Sequence, residues 1–402
     1  MNRTIPPRRL PWAWFVLLPL LASPAGLWAQ RNEVETGWEF TGLPALNFDS
    51  DEGFGYGVIL ALYDYGPSGL LPYRTALRPT LFFTTEGRKE LSLFLDLPHF
   101  GGRWRLSGFL SYENRIATPY YGVGNQSVYQ PALEEGDDPY FYRYGRERWL
   151  ASAKLQRPVG NGPLRILLGG QVAHFTLDPT PRNDGGTLLL NELGPAAPVP
   201  GGYLNSLMGG LVWDTRDRES GPTRGVWTEG LLERVDAALG SDYSFTRLTL
   251  TDRRYFTLRR GLVFANRLTV QDVSGNPPFF ALTSIQSSFE GTEGLGGSKS
   301  ARGILRNRYS GEGLFLWNAE LRWRALEFRV LGKDAHLALI GFLDSGRVWA
   351  EGVELGSLLS DLHHGYGGGL RTGLGQNFVV ATDAATSQEA GLQIYIGLGY
   401  LF

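Results

Sequence analysis

Apolar and polar residues alternate along much of the chain, and the last eleven residues show the pattern most regularly. Because successive side chains of a β-strand point to opposite faces, this alternation predicts a strand with one apolar and one mixed face. Eleven residues is about the length that crosses a bilayer as a tilted strand. The predicted apolar face consists of Leu392, Ile394, Ile396, Leu398, Tyr400 and Phe402.

The same alternation recurs upstream, with aromatic residues near the strand ends. Leucines at positions 91, 93, 95 and 97 alternate with other residues, as do apolar residues from Trp104 to Tyr112 and from Phe315 to Trp323. An apolar face with aromatic ends, opposite a polar face, is typical of strands in an outer-membrane barrel. Only a closed barrel lets strands lie in lipid with every backbone group paired.

Counting these segments predicts about sixteen strands, and single-chain bacterial barrels have an even number. The predicted strands span residues 38–48, 54–64, 75–84, 88–97, 104–113, 142–157, 164–176, 205–214, 226–235, 245–257, 262–272, 314–324, 336–349, 364–373, 377–384 and 391–402. Segments rich in Gly, Pro and Asp, such as 178–202 and 274–313, predict long outward loops, whereas 98–103 predicts a short turn. The predicted fold is all-β: a single transmembrane antiparallel β-barrel over residues 30–402.

Composition narrows the class of protein further. The chain has 402 residues with 54 glycines, 13% aromatic residues and a formal net charge of −2. The nearly neutral charge gives no electrostatic reason to bind nucleic acid. The absence of Cys excludes disulfides, thiolate metal sites and thiol nucleophiles.

The first 29 residues have the composition of a secretory signal. Three arginines, an apolar stretch from Leu10 to Leu21 and small residues from Ala25 to Ala29 predict a signal peptide over residues 1–29 that is cleaved after Ala29. A transmembrane anchor is the alternative, but prolines interrupt the stretch and it is short for a span. Followed by a barrel, the signal predicts export to the outer membrane of a Gram-negative-type bacterium.

Several short motifs follow one another in a specific order. They are Trp213-Asp-Thr-Arg-Asp217 with Pro222 and Gly225, Gly294-Leu-Gly-Gly-Ser-Lys-Ser-Ala-Arg-Gly-Ile304, Ala319-Glu-Leu-Arg322, Gly341-Phe-Leu-Asp-Ser-Gly-Arg-Val-Trp349, Tyr366-Gly-Gly-Gly-Leu-Arg371 and Gly399-Tyr-Leu-Phe402. In this order they resemble the barrel motifs of the Omp85 superfamily (BamA/TamA type), also called bacterial surface antigen D15. The loop segment departs from the family pattern at Ala301 and Ile304, where the family has a β-branched or leucine residue and an aromatic residue.

The resemblance implies a long loop between the eleventh and twelfth strands that folds inward and is held to the wall by Arg302. Its implied partners are Glu320 and Asp344, and Gly303 belongs to the same motif. From the residues alone, Glu320 lies on the polar face of its strand, hence toward the lumen. A planar guanidinium suits this task because it can bond two carboxylates at once. The alternative is that these are ordinary solvated charges.

The resemblance also marks two further groups of residues. The strand-pair motif consists of Asp214, Arg216, Asp217 and Gly225, and the last-strand seam and C-terminal signal consist of Gly397, Gly399, Tyr400 and Phe402. In the family, the seam between the first and last strands is weak and opens sideways. Glycines fit such an edge because they contribute no packing, although they could equally make room for the inward loop. We expect no periplasmic POTRA domain before the barrel, as in the short forms of the family.

The implied function is insertion or translocation of proteins, or of lipids, at the outer membrane through the weak seam. The alternatives are a passive or gated channel plugged by the Arg302 loop and, third, a hydrolase with its site at the barrel rim. The chain has no G-x-S-x-G nucleophile elbow and no H-E-x-x-H spacing, so we predict no catalytic residue, metal or cofactor. The expected partners are outer-membrane lipid including lipopolysaccharide, unfolded outer-membrane proteins or accessory periplasmic proteins, with no nucleic acid and the barrel as a monomer.

Overall fold

Long β-strands follow one another along the chain in the computed structural model, which describes residues 36–49, 53–134, 140–180, 182, 186–194, 198, 200–330 and 332–402. The sixteen long strands are β1 (Trp38–Asp49), β2 (Gly53–Asp64), β3 (Thr75–Thr84), β4 (Lys89–Phe100), β5 (Trp104–Pro119), β6 (Arg143–Pro158), β7 (Leu164–Asp178), β8 (Ser206–Asp214), β9 (Gly225–Val235), β10 (Ser244–Arg259), β11 (Leu262–Asn276), β12 (Gly313–Val330), β13 (Lys333–Trp349), β14 (His363–Leu374), β15 (Phe378–Ser387) and β16 (Gln393–Leu398). The predicted signal segment, 1–29, lies outside the described residues.

Short elements lie in the connections between the long strands. They are the two-residue strands Gly202–Tyr203, Ser284–Ile285 and Thr292–Glu293, the α-helix Leu188–Leu193, and the 3₁₀ turns Pro131–Leu133, Ala237–Leu239, Phe279–Ala281 and Leu355–Ser357. Across the part of the chain that the structure describes, no helix is long and apolar enough to span a membrane.

Each long strand pairs antiparallel with the next one along the chain, from β1 with β2 through β15 with β16. The longest ladder joins β12 to β13 and runs from Gly313 opposite Trp349 to Val330 opposite Lys333. The prediction of one antiparallel sheet of about sixteen consecutive strands is confirmed. Connections of this kind need only hairpins, which is why local alternation was sufficient to predict the order.

The two faces of this sheet have the reverse polarity of a sheet in a soluble protein. On β12, Leu321 and Trp323 are exposed, whereas Glu320 and Arg322 are buried. The inversion recurs around the sheet, with exposed Leu110, Trp149, Leu168, Leu211, Leu250 and Ile396 on one face and buried Glu113, Arg146, Gln156, Glu233, Arg247 and Asp383 on the other. Charged residues are rarely buried in soluble proteins, whereas a membrane barrel faces lipid outside and a polar lumen inside.

The segment 277–312 between β11 and β12, called the inner loop below, contacts strands from nearly the whole sheet. Lys154 Nζ on β6 donates to the Ser287 carbonyl at 2.6 Å, and Ser288 N donates to Glu229 Oε2 on β9 at 3.0 Å. Further contacts reach Arg78 on β3, Arg247 on β10, Asp344 on β13 and Tyr395 on β16. Strands from both ends of a sheet can touch one loop only if the sheet curls around it. The inward fold that the resemblance implies for this loop is confirmed, whereas the outward course predicted for 274–313 from its Gly, Pro and Asp content is wrong.

The first and last strands lie near each other without a shared ladder. Leu43 on β1 and Leu398 on β16 pack against one apolar cluster, which includes Tyr63 and Phe378. Within the described ranges, no backbone hydrogen bonds join β1 to β16. We call these two facing edges the seam.

The three residues after Gly399 turn into the lumen instead of continuing the last strand. Gly399 has a φ of +82°, a left-handed conformation that glycine adopts without strain. Phe402 is buried beside Tyr255, and its carbonyl accepts from Arg322 Nη2 at 2.8 Å. The predicted strand 391–402 is therefore too long, and the placement of Tyr400 and Phe402 on its apolar outer face is wrong. Inside the lumen, the aromatic rings of the tail contact guanidinium groups.

Candidate functional site

A tight turn in the inner loop presents Arg302 to the barrel wall. Ser300 Oγ donates to the Gly294 carbonyl at 2.6 Å and accepts from Gly296 N at 3.0 Å, which closes the turn. Gly296 has a φ of +109°, a conformation that residues with a Cβ rarely adopt. The glycine-rich sequence therefore folds this part of the loop back on itself and leaves the arginine side chain pointing at the strands.

The two loop positions that depart from the family pattern, Ala301 and Ile304, are both buried in an apolar cluster. Its other members are Ile285, Leu295 and Tyr309 of the inner loop, Leu314 and Leu316 of β12, and Val348 of β13. Burial of this apolar surface anchors the loop against β12 and β13 beside the arginine.

Arg302 is fully buried and binds carboxylates on three strands. Its Nε and Nη2 donate to the two oxygens of Asp344 on β13 at 2.8 and 3.1 Å, and its backbone N donates to the same carboxylate at 3.0 Å. Its Nη1 lies 2.7 Å from Glu320 Oε1 on β12 and 3.3 Å from Asp383 Oδ2 on β15. The guanidinium carbon lies 3.5 Å from the centroid of the Phe342 ring. One side chain thus joins the inner loop to three strands of the wall.

Three arginines and three carboxylates are joined by ion pairs around this contact. We call the set the loop-to-wall cluster; its members are Arg302, Arg322, Arg371, Glu320, Asp344 and Asp383. Arg322 Nε donates to Glu320 at 2.8 Å, and Arg371 donates to Asp383 at 2.6 and 2.9 Å. Burial alone disfavours the charged guanidinium, but the carboxylates of Glu320 and Asp344 more than offset this, so the pKa of Arg302 is raised above its usual value. Because opposite charges are matched and hydrogen-bonded, the network tolerates burial.

Two glycines allow the backbone of the inner loop to approach the wall. Gly303 has a φ of +88°, and its N donates to Tyr395 Oη at 3.1 Å. A Cβ on Gly303 would overlap the backbone of Thr386 on β15, and a Cβ on Gly365 of β14 would overlap the carbonyl of Arg302. Glycine is therefore required at both positions for steric reasons.

The predicted strand-pair motif lies at the turn between β8 and β9. Asp214 accepts from Arg216 Nε and Nη2 at 2.9 and 3.1 Å, and Asp217 accepts from Thr223 N and Oγ1 at 2.9 and 2.6 Å. Gly225 has a φ of +104°, and a Cβ there would overlap the backbone of the facing turn. These residues hold one hairpin end. Within the described part of the chain, their hydrogen bonds and ion pairs involve no member of the loop-to-wall cluster.

The structure divides the predicted seam residues between the strand and the lumen. Gly397 lies within β16, and Gly399 follows its end. The rings of Tyr400 and Phe402 lie 4.7 and 5.0 Å from the guanidinium of Arg322. The tail therefore contacts the loop-to-wall cluster through Arg322.

Sequence reasoning missed Asp383, Tyr395 and Phe342 as parts of this site. Asp383 is the only charged residue of β15. A charge in an otherwise uncharged membrane strand points to the lumen and needs a partner, so this signal was available. Phe342 stands two residues before Asp344 and so shares its face, which the period of a strand also indicates. Tyr395 gave no such signal, since Tyr suits either face of a membrane strand.

The loop-to-wall cluster holds the inner loop against the strands. Each of its carboxylates is contacted by at least one guanidinium. Among the residues that the structure describes, no group of three or more His, Asp or Glu side chains is placed to hold a metal ion.

A sheet of this length that is apolar outside, charged inside and curled around its own loop defines the class of outer-membrane β-barrels. The Omp85 superfamily domain matches residues 84–402 of the sequence. The chain belongs to the Omp85 superfamily. This confirms the resemblance that the motifs indicated.

Solved structures of two other proteins show a similar fold. One is BamA from Haemophilus ducreyi lacking POTRA domains 1–3, with a TM-score of 0.51 and 16% identity over 91% of this chain and 69% of that chain. The other is CdiB from Escherichia coli, with a TM-score of 0.55 and 14% identity over 90% of this chain and 62% of that chain. The chain thus spans between 62% and 69% of the length of these proteins. No curated protein is significantly similar to it in sequence.

Proposed function

We propose that this barrel inserts or translocates proteins, or lipids, at the outer membrane by opening between β1 and β16. The observation that carries the proposal is the seam: β1 has twelve residues and β16 only six, and no ladder joins them in the described part of the chain. An open strand edge presents unpaired N–H and C=O groups to which another strand can pair. An unfolded outer-membrane protein would supply such a strand.

Membership of the superfamily supports the setting, since Omp85 barrels reside in the bacterial outer membrane. The apolar outer face of the sheet fits a lipid environment. The partners of the proposed function are the lipid of that membrane, including lipopolysaccharide, and unfolded outer-membrane proteins.

The loop-to-wall cluster makes the neighbouring strands rigid, in contrast to the open seam. Arg302 ties the inner loop to β12, β13 and β15, which are three of the last five strands. Strands that share one buried ionic network move together, because separating them would leave buried charges without partners. The cluster therefore braces the wall and confines opening to the seam.

The test is the folding rate of an unfolded outer-membrane protein in liposomes that contain the purified chain. The wild-type chain should accelerate folding relative to empty liposomes. The chain has no native Cys, so cysteines in a Leu43→Cys, Leu398→Cys variant are the sole thiols. Because both positions pack against one apolar cluster, a bismaleimide is used to join them across the seam. Cross-linking should abolish the acceleration.

A matched cross-link separates seam opening from general rigidity. Leu62→Cys and Leu77→Cys face each other across the paired β2–β3 ladder. Joining them should leave the acceleration intact, because that ladder is already closed. Acceleration that survives the seam cross-link, or that both cross-links remove equally, contradicts the proposal.

A gated channel is the second candidate, because the inner loop occupies the lumen. In that case Arg302→Ala should raise conductance in planar bilayers by releasing the loop. Arg306→Ala is the control, since Arg306 lies in the same loop but pairs with Glu293. Raised conductance in the first variant only, together with no acceleration of folding by the wild-type chain, would favour the channel.

A further inference from the structure

A cleft of about 190 Å³ opens at the end of the sheet where the strands are joined by short turns. It lies between the β8–β9 turn, the two-residue β10–β11 turn and the adjoining part of β12. The lining residues that matter here are Arg218, Thr257, Val263, Arg322, Arg324 and Glu327. Short turns face the periplasm in outer-membrane barrels, so this is the periplasmic end.

Three arginines and one carboxylate, Glu327, line this cleft. Arg218 Nε lies 3.5 Å from Asp217, and Arg324 Nη1 lies 3.3 Å from Glu327, so each guanidinium has one long contact. Arg322 is 4% exposed, and its Nη1 has no hydrogen-bond partner within the described residues. Arg322 Nε and Nη2 already donate to Glu320 and to Phe402. A guanidinium carries five N–H donors, so each of the three arginines keeps donors without an acceptor among the described residues.

The cleft lies at the level of an aromatic girdle. Thr257, Val263 and Arg322 form one register row across β10, β11 and β12. Their sequence neighbours Phe256 and Trp323 are exposed on the outer face. Aromatic girdles mark the boundary between hydrocarbon and headgroups, so the row of the cleft is level with the phosphates of the adjoining leaflet.

We propose that this cleft binds a phosphate group, carried by a phospholipid headgroup or free in solution. Guanidinium groups match phosphate oxygens in a planar, two-bond geometry, and here three of them share a cleft with one carboxylate. The wall extends only a short way beyond the strand ends at this point, because only two residues join β10 to β11. A headgroup of the periplasmic leaflet can reach the cleft over that turn. Tyr400 of the tail also lines the cleft, and occupancy of the site does not depend on insertion.

The test compares matched ligands on the full chain in detergent micelles, with bound ligand counted by native mass spectrometry. Phosphatidylglycerol supplies a phosphate, and diacylglycerol with the same acyl chains does not. The wild-type chain should retain phosphatidylglycerol and not diacylglycerol. Inorganic phosphate that displaces the lipid identifies the phosphate group alone as the ligand, whereas no displacement identifies the headgroup in its membrane setting.

The variant pair Arg218→Gln with Arg324→Gln removes two arginines of the cleft and leaves Arg322, a member of the loop-to-wall cluster, in place. Binding of phosphatidylglycerol should weaken at least about tenfold, or about 1.4 kcal/mol, close to one charge-assisted hydrogen bond. The control pair Arg182→Gln with Arg234→Gln removes the same charge from exposed positions toward the opposite end, one in the β7–β8 connection and one at the end of β9. Heat-dependent electrophoretic mobility confirms that both variants are folded.

Two results would overturn the proposal. Equal retention of phosphatidylglycerol and diacylglycerol would show that acyl chains, and not phosphate, carry the binding. An equal loss in the cleft and control pairs would show a general charge effect.

Discussion

The loop-to-wall cluster and the seam hold two parts of one sheet by opposite means. In the cluster, one buried arginine contacts carboxylates on three strands at distances from 2.7 to 3.3 Å. At the seam, Leu43 and Leu398 pack against a shared apolar cluster, and no ladder joins their strands among the described residues. Charge-assisted hydrogen bonds are directional, whereas apolar packing has no preferred direction and is easily rearranged. The rigid contacts of this sheet therefore lie in one block of strands, whereas one edge is held by weaker packing.

The largest expected effect comes from removing the arginine at the centre of the rigid block. Arg302→Ala should lower the free energy of unfolding by about 3–5 kcal/mol, because Asp344 remains as a buried charge without its guanidinium partner and Glu320 loses one of its two. Urea unfolding in lipid vesicles, followed by Trp fluorescence, measures this. Arg302→Lys should recover only part, since an ammonium lacks the two-bond fork. Arg306→Ala, whose ion pair is partly exposed, should cost less than about 1 kcal/mol; equal losses at 302 and 306 would refute the bracing role.

Adding a single methyl group in the same block of strands should have a smaller effect on the free energy of unfolding. Gly303→Ala places a Cβ at a φ of +88° and against the backbone of Thr386, so we expect a loss of about 1–3 kcal/mol. Gly341→Ala on β13 is the matched control, because an added Cβ there meets nothing within 4 Å. The same unfolding measurement applies. If both alanines were tolerated alike, the close approach of loop and wall would not be as tight as described.

At the seam, truncation of an apolar side chain should change stability little and activity more. Leu398→Ala is expected to lower the free energy of unfolding by about 1 kcal/mol or less, because the side chain is only partly buried and its backbone pairing with Val380 is kept. A looser seam should raise the rate in the liposome folding assay. Leu370→Ala, on the outer face of the doubly paired β14, controls for lost apolar area. A lower rate with Leu398→Ala would count against seam opening.

Amide hydrogen exchange compares the seam with the rigid block of strands on the unmodified chain, without any substitution. Backbone N–H groups of β1 that do not pair with β2 should exchange faster than those of β13, which is paired on both sides. Uniform protection across β1 and β13 would mean that the two edges close a stable ladder.

The alternation of apolar and polar residues was enough to predict the strands and their order. Side-chain direction in a strand is a local property that repeats every two residues, so the sequence also placed Glu320 toward the lumen. The pairing of Arg302 with Glu320 and Asp344 could not be predicted from alternation in the same way. From the residues alone these charges could have been solvated, and the family motifs, not the alternation, indicated the contact.

Only the tertiary structure decided which distant residues meet. Asp383 and Tyr395 lie 81 and 92 residues beyond Arg302 and Gly303 and reach the inner loop because the sheet curls around it. The tail shows the same limit, since Tyr400 and Phe402 keep the alternation of a strand but turn inward to Arg322, a partner on β12. Local backbone geometry determines the face on which a side chain lies. The partner on that face depends on the curvature of the whole sheet, which no short stretch of sequence encodes.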